Sequence, residues 1–190
     1  MIPIFKKGDR SQPGNYRPVS LTSIVCKVFK SIIRDGIVGY MSSNALFAQE
    51  QRGFLSRRSC ITQLLRATEY WSEALQQGDP VDVVYLDFKR AVDSVHHQRL
   101  LLKLKSYGIE GLLLDWITAF LVNRKQRVVV NDSHSCWSDV YSGIPQGSVL
   151  GPILLSLNNN LPKALQNQVL MFADDTKLFH RLQRNNMQYL

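Results

Sequence analysis

No stretch of this chain is apolar for long enough to cross a membrane. Its start, MIPIFKKGDR, lacks the apolar core and small-residue cleavage site of a secretory leader. These absences point to an intracellular protein, in nucleus or cytoplasm. Cysteine is scarce: Cys26, Cys60 and Cys136 are odd in number and far apart. That excludes a disulfide framework and offers no zinc-ligand spacing, so the three read as buried or incidental thiols. Internal repeats and low-complexity tracts are lacking, and hydrophobic residues make up 45% of the chain, an ordinary globular balance. Acidic residues are sparse at one end. Residues 1–70 hold eleven Lys/Arg against four Asp/Glu, a net +7, whereas residues 71–190 hold twelve against eleven, a net +1. A basic first third suits a polyanionic partner, although a solvated basic face gives the same count.

Hydrophobic periodicity outlines the elements that are present. Residues 1–18 read as a loop, rich in Gly, Pro, Asn and charge. Val19, Leu21, Ile24, Val25, Val28, Phe29, Ile32 and Ile33 recur at helical spacing and predict an amphipathic helix over 19–34. A second helix runs from Ile61 to Leu75 with Gly78 as its C-terminal cap. VDVVYLDF, residues 81–88, is a strand whose near-continuous apolar character predicts burial on both faces. Helices follow at 97–107 and 111–122, then strands around an Asn131-Asp132-Ser133 turn, then a loop entering a helix at GSVLGPILLSL. The last unit, VLMFADDTKLFHRL, reads as a β-hairpin with acids at its tip. Helices first, then mixed strands and helices, predict an α+β fold with a mainly antiparallel sheet.

Carboxylates stand where they are costly. Asp87 closes an apolar strand, and Asp174 and Asp175 are adjacent between two apolar runs. Carboxylates gathered at one point repel one another and lose hydration, and a divalent cation removes both penalties. Mg²⁺ takes one or two protein carboxylates plus substrate phosphates. Two such ions, roughly 3.5–4 Å apart, serve phosphoryl-type transfer. Asp87 and Asp174 are the candidates to bridge them, with Asp175 in support and the Phe88 carbonyl as a further oxygen. Taken alone, Asp-Asp in a turn is more often a plain hairpin cap.

Several segments decide the matter together: IPIFKKGD with NYRPVSL, QRGFLSRRS, VVYLDFKRAVDSV, SGIPQGSVLGP and FADDTKLF. In this order and spacing, over nearly the whole chain, they resemble the reverse transcriptases of LINE-like non-LTR retrotransposons. The resemblance implies a right-hand polymerase, with fingers over 1–80 and palm over 81–190, ending just after the Asp-Asp hairpin with the thumb missing. It implies RNA-directed DNA polymerisation: nucleotidyl transfer from a dNTP to a DNA primer on an RNA template, with two Mg²⁺, or Mn²⁺ in their place. Asp87 matches the family's first metal-binding aspartate, and Asp174 and Asp175 its Asp-Asp pair. Lys7 and Arg17 match the segment gripping the incoming triphosphate, a role that suits an ammonium and a guanidinium. Gln146 and Gly147 match the Pro-Gln-Gly turn beside the nascent pair. Gln51, Gly53 and Phe54 match a template-side motif, and Arg57 and Arg58 are placed to meet phosphates. Asp93, the second aspartate of the first palm motif, reads as a structural cap.

The chain departs from the family in places. Val92 stands where an aromatic usually lies under the sugar, which predicts weaker rejection of ribonucleotides. LLSLNNNLP is one residue short and carries Asn158, Asn159 and Asn160, poor helix formers. Together with the early end, this raises the alternative of an inactive relic that keeps only nucleic-acid binding. A group II intron maturase or telomerase-like polymerase ranks behind both.

Overall fold

The computed structural model describes residues 1–182 apart from Arg57, Lys89, Asn159, Asn160 and Gln166. The elements in chain order begin β1 Ile2–Phe5, β2 Tyr16–Val19, α1 Ile24–Ser43, α2 Cys60–Gln76, β3 Val81–Leu86, α3 His97–Ser106 and α4 Gly111–Leu121. Four short strands follow, β4 Arg124–Gln126, β5 Val129–Val130, β6 Ser133–His134 and β7 Ser138–Val140. The rest are α5 Gly151–Asn158, α6 Leu161–Ala164, β8 Gln168–Phe172 and β9 Asp175–Arg181. Pairings between these strands are all antiparallel, the α+β pattern expected. Among the described residues no helix is long and apolar enough to cross a membrane.

The residues gather into two compact units that interleave along the chain: Met1–Leu46 with Arg90–Asn158, and Phe47–Lys89 with Asn159–Leu190. The expected consecutive division at residue 80 does not coincide with them.

In the first unit, residues 1–18 are not a loop. β1 and β2 form a hairpin with Ile2 opposite Val19 and Phe5 opposite Tyr16. Pro3 faces Pro18, so the two missing N–H groups fall in one pair and spare the rest of the ladder. α1 starts later than its apolar pattern, because Ser23 caps it by accepting a hydrogen bond from the Cys26 N–H. It runs through Gly36 and Gly39 to Ser43. Only Ile37 and Met41 of this helix are buried, while the stripe that predicted it stays open, with Ile24 78% and Ile32 66% exposed. The core lies instead among Leu100 and Leu104 of α3, Ile117 and Leu121 of α4, and Leu150, Ile153 and Leu154 at α5. Asn131 and Asp132 both have positive φ and close a two-residue turn between β5 and β6, the twist-matched hairpin form.

The second unit is a three-stranded sheet, β3–β9–β8, covered on one face by α2. Ser59 and Thr62 form a capping box that starts α2, and Gly78 at φ 74° ends it. Ala67 of α2 packs with Leu170 and Phe179, and Tyr70, Trp71, Val81 and Val83 close around them. β3 is not buried on both faces as expected. Val84 and Tyr85, adjacent and so on opposite faces, are both exposed, while Val81 and Val83 pack with the α2 cluster. Arg181 grips Asp79 at 2.6 Å and also reaches Gln77, pinning the end of β9 to the α2–β3 turn. Asp79→Ala should lower stability by about 1–3 kcal/mol, since it strands a partly buried guanidinium. Urea denaturation of both proteins checks this.

The three cysteines, expected buried or incidental, are exposed free thiols. Of LLSLNNNLP, α5 takes the chain to Asn158 and α6 resumes at Leu161, while Asn159 and Asn160 lie outside the described residues.

Candidate active site

Two strands deliver the acids to one end of the sheet. In the β8–β9 hairpin Phe172 pairs with Asp175, leaving Ala173 and Asp174 as a two-residue tip. On the other side of β9, Leu86 pairs with Thr176. Asp87 follows Leu86 directly, so it leaves the strand at the sheet end where β9 begins with Asp175. Register alone therefore joins residues almost ninety positions apart in sequence. Asp174 is half-buried, while Asp87, Phe88 and Asp175 are exposed.

The tip is strained. Ala173 has φ 60° and Asp174 does not share the positive sign, the pattern of a type II′ turn that favours glycine at its first central position. An alanine there costs about 1–2 kcal/mol of backbone strain. The residues around it hold that conformation. Gln51, 1% exposed, donates from Nε2 to the Ala173 carbonyl at 3.0 Å and accepts at Oε1 from the Ala173 N–H at 2.9 Å. Its Oε1 also accepts from the Gly53 N–H at 2.8 Å. Residues 50–52 run along β8 as one parallel bridge, with Met171 N–H on the Glu50 carbonyl and Arg52 N–H on the Met171 carbonyl. A Cβ at Gly53 would stand 2.5 Å from the Ala173 nitrogen, so only glycine lets the two backbones meet.

None of the three carboxylates makes an ion pair or a side-chain hydrogen bond among the described residues. Nor is any group of three or more His, Cys, Asp and Glu side chains arranged there as a metal cage. Mg²⁺ does not require a protein cage: one or two carboxylates, water and substrate phosphates complete its shell. Unpaired acidic oxygens at one open sheet end are a donor set of that kind.

In the other unit, strand β2 meets the Pro145-Gln146-Gly147 turn. The Ser20 N–H donates to the Gln146 carbonyl at 2.9 Å. In the amide orientation that satisfies both of its ends, Gln146 donates to the Pro18 carbonyl at 3.0 Å and accepts from Arg17 Nε at 3.3 Å. Gly147 sits at φ 87°, where a Cβ would press on Val19 and Ser20. Arg17, Gln146 and Gly147 thus come together, and Lys7 is exposed in the β1–β2 turn beyond the paired residues. The Val92 carbonyl accepts from the Ile144 N–H at 2.9 Å, tying it to the same loop. Gly143 anchors that loop. Its carbonyl receives His97 Nε2 and Arg124 Nη2, each at 2.7 Å, and burial pushes the Arg124 pKa down. Asp93 is no helix cap: α3 starts at His97 with His96 as its N-cap and no side-chain capping bond, and Asp93 acts through its carbonyl, which accepts from Ser142 Oγ.

The model of the family described as reverse transcriptase (RNA-dependent DNA polymerase) matches residues 4–189. The chain belongs to this family. Relatives are the RNA-directed DNA polymerases of non-LTR retrotransposons. A probable RNA-directed DNA polymerase from transposon X-element of Drosophila melanogaster is 31% identical over 176 residues, which is 90% of this chain and 19% of that protein. The polymerase of mobile element jockey from Drosophila funebris is 32% identical over 92% of this chain and 20% of its own length. This reverse transcriptase chain therefore spans about a fifth of these relatives. Among solved structures, a Candida albicans telomerase superposes with a TM-score of 0.61 at 12% identity, covering 82% of this chain and 30% of that one. An apo telomerase from Candida tropicalis gives a TM-score of 0.57 at 11% identity over 78% of this chain and 34% of that one. The α+β fold is that of a polymerase palm and fingers.

The segment expected on the template side is partly occupied with its own fold. Gln51 and Gly53 serve the Ala173 turn, and Arg58 Nη1 donates to the carbonyls of Ala48 at 2.9 Å and Gln51 at 2.6 Å. Phe54, at φ 61°, leaves its ring exposed, and Arg57 lies outside the described residues. Sequence reading missed Arg52 and Arg66. The Arg52 pKa is pushed down by burial first and then by the charges of Arg66 and Arg58, so three guanidiniums share one neighbourhood. No linear motif marks Arg66, which is brought there by α2. The roles of Gly143, His97 and Arg124 were also missed, because a backbone carbonyl leaves no trace in a sequence.

Proposed function

We propose that this chain forms the polymerase centre of an RNA-directed DNA polymerase, extending a DNA primer on an RNA template with dNTPs. The observation that carries this reading is the register that sets Asp87 at the sheet end bearing Asp174 and Asp175. Asp87 and Asp174 hold two divalent cations, with Asp175 and the Phe88 carbonyl as supporting oxygens. Bound Mg²⁺ supplies Lewis acidity toward the 3′-hydroxyl and charge neutralisation at the triphosphate. Lys7 and Arg17 attract and orient the triphosphate from fingers elements. Gln146 and Gly147 present amide and bare backbone to the nascent pair, and Arg17 steadies the Gln146 amide. Phe54 with Arg58, Arg57 and the Arg52–Arg66 pair supplies a stacking ring and phosphate contacts for the template. These substrates place the reaction inside the cell.

The test is Mg²⁺-dependent extension of oligo(dT) on poly(rA). Template-dependent incorporation of dTTP is the expected result. Salt-sensitive RNA binding with no extension would instead mark a relic that keeps only the basic surface.

Val92 adds a specificity prediction. With valine in place of a ring below the sugar, a 2′-hydroxyl meets less obstruction. Val92→Phe should raise dNTP over rNTP selectivity by about 1–3 kcal/mol in kcat/KM. Equal selectivity in both proteins would remove Val92 from the sugar pocket.

A further inference from the structure

We infer that Gln51 is a positioning residue for Asp174, acting through the strained Ala173 peptide rather than on nucleic acid. The inference rests on the metal-binding reading of Asp174. Its basis is the way the amide is used. Both halves of the Gln51 side chain are spent on one residue, bridging the two peptide units that flank the Ala173 Cα through its N–H and its carbonyl, 122 residues away in sequence. The carbonyl it holds belongs to the peptide bond leading directly into Asp174. A side chain only 1% exposed, with its oxygen shared between the Ala173 and Gly53 N–H groups, has no free face to offer a base or phosphate.

The chemistry requires such a brace. Alanine at φ 60° relaxes toward negative φ when nothing opposes it. Rotation there swings the next residue, so the Asp174 carboxylate turns away from the sheet end that also bears Asp87. Few other side chains could do this work. Asparagine is too short to span the same two groups, glutamate offers no donor to the carbonyl when ionised, and methionine offers neither group. Gly53 cooperates by letting the residue 51–53 backbone lie against Ala173 without a Cβ between them.

The test uses the full chain and Mn²⁺ alone as probe, with binding followed by electron paramagnetic resonance, and poly(rA) affinity measured in parallel. Gln51→Met should weaken Mn²⁺ binding by about 10-fold to 100-fold, as loss of a group that orients a metal ligand does. Affinity for poly(rA) should stay unchanged. Ala173→Gly in the same background should restore part of the Mn²⁺ affinity, because glycine takes the positive φ without a brace. Wild-type Mn²⁺ affinity in Gln51→Met, or weakened poly(rA) binding without a change in Mn²⁺ affinity, overturns the inference. If Gln51→Met does not fold, Gln51→Glu, which keeps the acceptor, replaces it. Failure of both to fold, without recovery by Ala173→Gly, makes Gln51 a folding residue and also overturns the inference. Equal Mn²⁺ binding by wild type and Asp174→Asn is a separate result: it removes the metal reading itself.

Discussion

Asp174→Asn should abolish Mg²⁺-dependent primer extension while leaving the fold intact. Asparagine keeps the volume and the turn propensity of aspartate and removes only the charge that holds a cation. A loss of at least about a thousandfold, roughly 4 kcal/mol in the barrier, is expected for a residue that carries the metal. The same variant should melt no lower than the wild type without metal. The Asp174 side chain has no protein partner to lose among the described residues, its carbonyl bond from Thr176 Oγ1 survives the substitution, and its charge stands beside Asp175 and near the end of β3. Removing one of several like charges relieves repulsion. Extension assays paired with thermal denaturation check both halves. A variant that keeps a tenth of the activity, or that unfolds, would mean Asp174 is structural rather than a metal ligand.

Gly143→Ala carries the largest expected cost in stability. Two penalties meet at this residue. Its φ of +82° lies in the left-handed region, which costs an L-residue about 1–2 kcal/mol. A Cβ there would also stand 2.7 Å from the Cα and the carbonyl oxygen of Asp93, backbone that has no rotamer to yield. Overpacking of that kind adds about 1–3 kcal/mol. The sum, about 2–5 kcal/mol, is a large part of what holds a small domain folded. If the loop shifts to relieve the clash, the Gly143 carbonyl moves away from His97 and Arg124, and the Gln146 turn moves with it. Urea unfolding of Gly143→Ala should show a lower midpoint with an unchanged slope. A stability change below about 0.5 kcal/mol, within the range of ordinary surface substitutions, would mean the close approach to Asp93 is not real.

The family, the fold class and the candidate acids could all be named before any coordinate. Carboxylates in apolar surroundings are conspicuous because burial penalises them, so Asp87, Asp174 and Asp175 marked themselves. The β8–β9 hairpin was equally plain, two apolar runs around a polar tip. Segments whose structure depends on a distant partner were harder. β1 and β2 sit in a stretch of Gly, Pro, Asn and charge, and only their mutual pairing makes them strands. The apolar stripe of α1 announced a helix but misplaced its start, since Ser23 rather than hydrophobicity sets the N-terminus. It misplaced the burial too, for periodicity says which residues share a face and not what covers it.

Gln51 shows the boundary most clearly. As a motif residue it pointed toward template, yet its side chain bonds the N–H and carbonyl of a residue 122 positions away. Local patterns settled by themselves which residues are chemically costly, where turns fall and to which family the order of segments belongs. Those quantities follow from neighbours within a few bonds. Tertiary structure alone decided that the end of β3 meets the late hairpin tip, that a buried amide props a strained alanine, and that one glycine carbonyl gathers a histidine and an arginine. Such contacts arise when the chain closes long loops and buries polar groups that must then find partners.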